Sequence, residues 1–358
     1  MANQLLSYYE SAAHAAALCS VASVPVLPAP LAAECLDALK KIHPCDYADV
    51  ESQSGQLAYA MAATIAEKRS FLASSNMHAL DEVQKASFMR MPLVAANFSR
   101  AVGTFTTRTD LTGVFALRDA GWLMFLAESP QEALDSVVMA YRICEDSKVL
   151  LPAVVNIDGI ANMREVVNVP NKKIIDNLLP SLRMPRKLRD NGTFGSPVFE
   201  GYQEFREQQQ LAMLNAKRMI RGVGEKWYEK FRRSYGSVER FHSDDADYVL
   251  VTAGFYSSAA KSFVLKARQQ GERVGLLRMR VARPWPSEDV ADALKNAKKI
   301  AVIDRGVSLG ASGFLHNELK SVHNFCSSFV SYNALDEKSF ADVLAKLKKQ
   351  EKPETVWF

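Results

Sequence analysis

The chain has 358 residues, 48% of them hydrophobic, enough to bury a large core and to fill two domains. Its 44 basic and 40 acidic residues leave a net charge of only +4, which argues against nucleic acid as the main partner and leaves open a weakly acidic one. Cys19, Cys35, Cys45, Cys144 and Cys326 form no C-x-x-C pair, so no zinc or iron–sulfur site is expected from local spacing, and scattered thiols fit a reducing compartment.

The N-terminus lacks a basic segment, and the apolar stretch 12–26 is short and interrupted by His14, Ser20 and Pro25. Neither a leader nor a membrane span is expected, and a cytoplasmic location follows. Strand-like apolar runs then alternate with helical patterns. Strands are expected at 21–26, 47–51, 70–74, 93–98, 123–126 and 150–157, and helices at 31–42, 55–67 and from Pro130 onward. Ser74, Ser75 and Asn76 are suited to cap the next helix. This alternation predicts an α/β domain with a doubly wound parallel sheet over residues 1–180.

Residues 180–197 gather Pro, Gly and basic side chains, including Arg183, Arg186, Lys187 and Arg189, and read as a linker or a basic contact loop. A long helix is expected over 202–235, with Leu211, Leu214, Met219, Trp227 and Phe231 available to pack. Linker and helix together span 181–243. A smaller α/β domain then fills 244–358, opening with the strand 246–254 and continuing through a helix at 257–270, a strand at 274–277, a helix at 287–297 and a strand at 299–303.

Single motifs carry little chemistry. The only G-x-G, Gly222 to Gly224, sits inside a helical region and not after a strand, and phosphate-loop and G-x-S-x-G patterns are absent. The six histidines lie far apart in sequence, so surface or packing roles are expected and no metal ligand is assigned.

Several short segments in order are more specific: Val24-Pro25-Val26-Leu27-Pro28, Val50-Glu51-Ser52-Gln53, Met89-Arg90-Met91-Pro92-Leu93, Ser99-Arg100-Ala101 and Ala116-Leu117-Arg118-Asp119-Ala120-Gly121-Trp122. Beyond the linker, Arg283-Pro284-Trp285-Pro286 pairs with Ile303-Asp304-Arg305. This succession resembles the α-type subunit of the 2-oxoacid:ferredoxin oxidoreductases over roughly residues 13–319. The resemblance implies a thiamine pyrimidine-binding domain followed by a transketolase C-terminal-like domain. It also implies oxidative decarboxylation of a 2-oxoacid with electron transfer to iron–sulfur clusters and coenzyme A as the usual acyl acceptor.

In that family thiamine diphosphate is shared between chains. The α-type chain holds the aminopyrimidine ring; a β-type subunit holds the diphosphate and its magnesium, and γ/δ-type subunits carry the clusters that pass electrons to a ferredoxin-like acceptor. No metal site is therefore expected here. The ring is activated by the second acid of a Glu-Ser-Glu pattern, and here that position is Gln53, with Glu51 two residues before it. An amide keeps a hydrogen bond but supplies no charge.

Three readings of Gln53 stay open: an active site tuned differently, a site completed by a paralogous chain, and a non-catalytic scaffold with a degenerate thiamine site. Arg100 matches the family arginine that meets the 2-oxoacid carboxylate, a task suited to the guanidinium fork, though pairing with a neighbouring acid is its bland alternative. Leu27 replaces a family threonine that bonds the substrate. Phe98, Phe105 and Phe115 could widen an apolar pocket or simply pack the core. Arg118 and Asp119 read as a loop-fixing ion pair and Trp122 as a plug at a contact. Asp158, Gly159 and Asn162 lack the spacing of a metal–diphosphate motif.

Overall fold

The structure, a computed structural model, describes residues 2–77, 79–101, 108–158, 163–184 and 201–358. Its first half contains β1 (Ala2–Ser7), α1 (Tyr8–Leu18), β2 (Ser23–Val26), α2 (Pro30–Ile42), β3 (Asp46–Asp49), α3 (Gln53–Ile65), β4 (Phe71–Ser74), α4 (Leu80–Phe88), β5 (Val94–Ser99), α5 (Thr112–Phe115), β6 (Leu123–Leu126), α6 (Pro130–Cys144), β7 (Ala153–Asp158), β8 (Arg164–Val169) and α7 (Lys172–Leu178). The long α8 (Tyr202–Phe231) leads to β9 (Val238–Phe241), β10 (Tyr248–Ala253), α9 (Ser257–Gln269), β11 (Val274–Met279), β12 (Val281–Arg283), α10 (Ser287–Leu294), β13 (Lys299–Asp304), α11 (Phe314–Leu319), β14 (Cys326–Val330), α12 (Glu337–Lys349) and β15 (Thr355–Trp357).

Two main sheets result, a five-stranded one in the order β12-β6-β7-β5-β4 and a six-stranded one in the order β15-β14-β13-β10-β11-β9. β4, β5, β7 and β6 run parallel, and β5 and β7 are buried at every position, as central strands of a sheet covered on both faces must be. β2 and β3 form a parallel pair of their own that continues past β4 through a bridge between Ser23 and Ser70. The expected α/β architecture is present, with antiparallel strands, β12 and β9, on one edge of each sheet.

One strand crosses the expected division of the chain at residue 244. β12 comes from the second half yet pairs antiparallel with β6 of the first. The second sheet has six strands because β9, β14 and β15, unread in the sequence, add to it. β1 also went unread; it pairs with β8 and feeds α1, whose Ala12, Ala13, Ala15 and Ala16 are fully buried. Those small side chains let α1 lie close against α2 and α6.

In α8 the buried stripe is Ala212, Ala216, Ile220, Val223, Trp227 and Phe231, steps of three and four that keep one face on α6. Leu211 and Leu214, expected to pack, fall off that stripe and are exposed. Gly224 is required by packing, since a Cβ there would lie 2.0 Å from the Tyr235 carbonyl oxygen.

An ionic cluster joins the halves. Glu132 of α6 receives both Arg278 and Arg280 from and beyond β11, Arg278 also meets Glu128 at 3.0 Å and Glu239 at 2.7 Å, and Lys261 bridges Glu128 and Glu239. Burial by itself would raise the Glu132 carboxyl, but the two guanidinium groups outweigh it and bring it to about 2.

Candidate functional site at the carboxyl edge of the first sheet

Ligands of open α/β sheets bind beyond the carboxyl ends of the parallel strands, and the sequence places its candidates there. Leu27 follows β2, Gln53 begins the helix after β3, Ser74 ends β4 and leads to Asn76, and Arg100 follows β5. Gln53 is helical and not part of an extended segment: Ser52 caps α3 by accepting from the Gly55 amide at 3.0 Å. This start turns Gln53 inward to 8% exposure, while Glu51 stays exposed in the preceding bend.

The Gln53 amide is held from both ends. Its Nε2 donates to Ser74 Oγ at 3.1 Å and to the Asn76 carbonyl at 2.9 Å, and its Oε1 accepts from the Ala79 amide at 2.7 Å. A backbone carbonyl only accepts and a backbone N–H only donates, so these two partners fix which end of the side chain is nitrogen. Both Nε2 hydrogens are used.

Asn76 passes the connection on. Its backbone N–H donates to Asn97 Oδ1 at 2.9 Å, its Nδ2 donates to the Arg100 carbonyl at 2.6 Å, and its Oδ1 accepts from the Arg100 amide at 3.4 Å. Asn97 Nδ2 in turn donates to Asn156 Oδ1 at 2.8 Å, which also accepts from Ser99 Oγ at 2.5 Å. Ser74, Asn97 and Asn156 stand in register across β4, β5 and β7, so three strands contribute polar side chains at one level. The row is buried and neutral.

Sequence reasoning named Gln53 and Arg100 as candidates and missed the residue that joins them, Asn76. Ser74, Ser75 and Asn76 were expected to cap α4, yet its N-cap is Ala79, without a side-chain cap bond. Asn76 instead adopts a left-handed φ of 70°, a conformation Asn tolerates better than most residues. A missed signal was the recurrence of Ser and Asn at the ends of otherwise apolar strands.

Arg100 is half-buried, and among the described residues its guanidinium makes no hydrogen bond or ion pair. Leu27 is also half-buried. Other candidates have structural roles: Phe98 packs on Tyr9 with centroids 4.9 Å apart, and Phe115 stacks on Phe314 at 5.0 Å. Phe105, Gly159, Asn162, Arg186, Lys187 and Arg189 lie outside the described residues. Arg118 and Asp119 do pair, at 3.2 Å on the surface. Trp122 plugs this chain's own core, donating to the Val83 carbonyl at 2.8 Å. Arg183 reaches Glu67 at 3.2 Å.

The second half closes over this edge. Asp158, at the end of β7, accepts from the Phe255 amide at 2.8 Å, and Gly254 has a φ of +70° and no room for a Cβ, which would lie 2.6 Å from Asp158 Oδ2. Burial raises the Asp158 carboxyl. Arg305 spans the same junction, donating to Thr109 Oγ1 at 2.9 Å and to the Asn333 carbonyl at 2.6 Å. Among the described residues no group of three or more His, Cys, Asp or Glu is placed to hold a metal ion, and no helix is long and apolar enough to cross a membrane.

Comparison with known proteins fits this geometry. Residues 11–224 match the family model "Pyruvate flavodoxin/ferredoxin oxidoreductase, thiamine diP-bdg", and residues 246–335 match "Pyruvate:ferredoxin oxidoreductase core domain II". The chain belongs to the 2-oxoacid:ferredoxin oxidoreductase family. Among curated members it is 33% identical to pyruvate synthase subunit PorA of Methanothermobacter thermautotrophicus, covering 90% of this chain and 88% of that one. It is 32% identical to ketoisovalerate oxidoreductase subunit VorA of Pyrococcus abyssi, covering 76% and 72%. The solved 2-oxoglutarate:ferredoxin oxidoreductase from Magnetococcus marinus shares the fold with a TM-score of 0.72 at 12% identity, over 96% of this chain and 65% of its own.

The family match assigns residues 11–224 to a thiamine diphosphate-binding domain. The carboxyl edge fits that group in part: it offers a buried polar floor and an arginine, but where the family resemblance calls for a ring-activating acid it offers an amide already bonded within its own chain.

Proposed function

We propose that this chain is the α-type subunit of a multi-subunit, thiamine diphosphate-dependent 2-oxoacid:acceptor oxidoreductase, supplying the ring-side half of the cofactor pocket and Arg100 as the clamp for the substrate carboxylate. The observation that carries this reading is the Arg100 guanidinium, half-buried at the end of a central strand and unpaired among the described residues. Such a group takes a carboxylate through two parallel charge-assisted bonds. When bound, thiamine diphosphate supplies the carbanion chemistry that releases carbon dioxide from a 2-oxoacid.

Leu27 places an apolar wall where a hydroxyl would bond substrate, which favours a 2-oxoacid with an apolar side chain. The names of the relatives, pyruvate synthase and ketoisovalerate oxidoreductase, bracket that class. The β-type subunit with diphosphate and magnesium, the cluster-bearing γ/δ-type subunits, a ferredoxin-like acceptor and coenzyme A complete the proposed assembly, with a cytoplasmic location.

A second reading, a scaffold subunit without turnover at this site, is favoured by one observation: the engagement of the Gln53 amide within the chain. Turnover of the purified complex on pyruvate, 3-methyl-2-oxobutanoate and phenylpyruvate decides between them. Arg100→Ala is expected to lower kcat/KM by roughly 100-fold or more; unchanged turnover in that variant makes the chain a scaffold.

A further inference from the structure

We propose that Gln53 and Asn76 form an amide clasp that positions Arg100, so that the place occupied in the family by the ring-activating acid serves here to set the substrate clamp. The inference rests on the reading of Arg100 as that clamp. Gln53 binds the turn after β4 at three points, Ser74 Oγ, the Asn76 carbonyl and the Ala79 amide. Asn76, held in that turn, bonds both the carbonyl and the amide of Arg100. The backbone of the arginine is thus tied to residue 53 through one intermediate residue.

The chemistry of the clasp requires an amide at residue 53. Two of the three bonds are donated by Nε2, and a carboxylate has nothing to donate. Glutamate would bring an acceptor oxygen against the Asn76 carbonyl, within a row of buried Ser and Asn side chains. Restoring the family's acid would therefore lose both donated bonds to the turn that holds Arg100 and set a carboxylate oxygen against a carbonyl oxygen. The same logic governs Asn76: an aspartate there keeps the acceptor for the Arg100 amide and loses the donor to the Arg100 carbonyl. The fold makes room for this side chain at Gly113, where a Cβ would come within 2.9 Å of the Asn76 side chain. Both are positioning residues.

The test uses the purified complex carrying Gln53→Glu, Asn76→Asp, Asn76→Gly and Arg100→Ala, with KM and kcat measured on pyruvate and 3-methyl-2-oxobutanoate, and the melting midpoint measured without added thiamine diphosphate. Gln53→Glu is expected to raise KM roughly tenfold, to leave kcat no higher, and to lower the melting midpoint by about 4 °C or more. Asn76→Asp should behave alike. Asn76→Gly tolerates the left-handed turn without the side-chain bonds, so it should raise KM with little loss of melting midpoint, which separates positioning from folding. A Gln53→Glu variant with higher kcat and an unchanged midpoint would show that residue 53 addresses the cofactor ring and would overturn the clasp. An Asn76→Gly variant with wild-type KM, beside an Arg100→Ala variant whose KM rises, would overturn it too. If Arg100→Ala itself leaves KM and kcat unchanged, the clamp reading fails first and the clasp with it.

Discussion

Two buried polar clusters on the same chain are built from opposite materials. The carboxyl edge of the first sheet holds Gln53, Asn76, Asn97, Asn156, Ser74 and Ser99, whose mutual bonds are all between neutral groups. The junction between the halves holds Glu128, Glu132, Glu239, Lys261, Arg278 and Arg280, all charged in pairs. Buried ion pairs can be lost to apolar replacements at little cost but are costly when one partner is removed, whereas amide networks carry no Born penalty. The chain thus keeps strong fields at its mechanical joint, and lines the row that holds the Arg100 backbone with neutral amides and hydroxyls.

The comparison breaks most visibly at Glu132. Glu132→Gln takes from the buried Arg280 the carboxylate it pairs with, leaves Arg278 to Glu128 and Glu239, and is expected to lower unfolding free energy by about 3–5 kcal/mol, read from urea denaturation. The pH dependence has a definite sign. Because the folded carboxyl sits near 2, below its unfolded value near 4.3, its contribution is complete above about pH 4.5 and drains away as pH falls toward 2. Wild type should lose stability across that window, and Glu132→Gln should show a flatter profile there.

A charge placed in the neutral row is the complementary test. Asn156→Asp keeps the acceptor for Asn97 and Ser99 but buries a carboxyl without a cation, so its folded pKa rises above the unfolded one. Stability near that of wild type is expected at pH 5, with a loss of roughly 1–3 kcal/mol by pH 8, measured by denaturation at the two values. The smallest effect belongs to Lys261, which is partly exposed while bridging Glu128 and Glu239. Lys261→Met should cost at most about 1 kcal/mol, diminished further in high salt.

Most of the strands and helices were legible because they obey simple periods. The apolar runs at Leu123–Leu126 and Lys299–Asp304 and the Ser129-Pro130 start of α6 announce themselves through length, composition and capping chemistry. What stayed hidden depends on partners distant in sequence. β12 is three residues long, too short for any period, and exists as a strand because β6 offers it an edge. β1 and β8 sustain each other across some 160 residues of chain, as Ala2 pairs with Val169. Gln53 and Arg100 were named as candidates through family resemblance. Asn76, Asn97 and Asn156 were not, because an Asn reads as turn or cap until the sheet register shows three polar side chains on one level.

The crossing of β12 into the first sheet has a consequence for how the molecule comes apart. A chain severed near residue 244 would leave β6 with an uncovered row of backbone donors and acceptors, the kind of open sheet edge that recruits strands from other molecules. It would leave the other fragment with Val281 and Ala282, both buried in the intact chain, facing water. The halves are therefore stitched together and not merely docked: β6 has no partner on that edge until residues 281–283 have been made, so a nascent chain must carry an open edge until then.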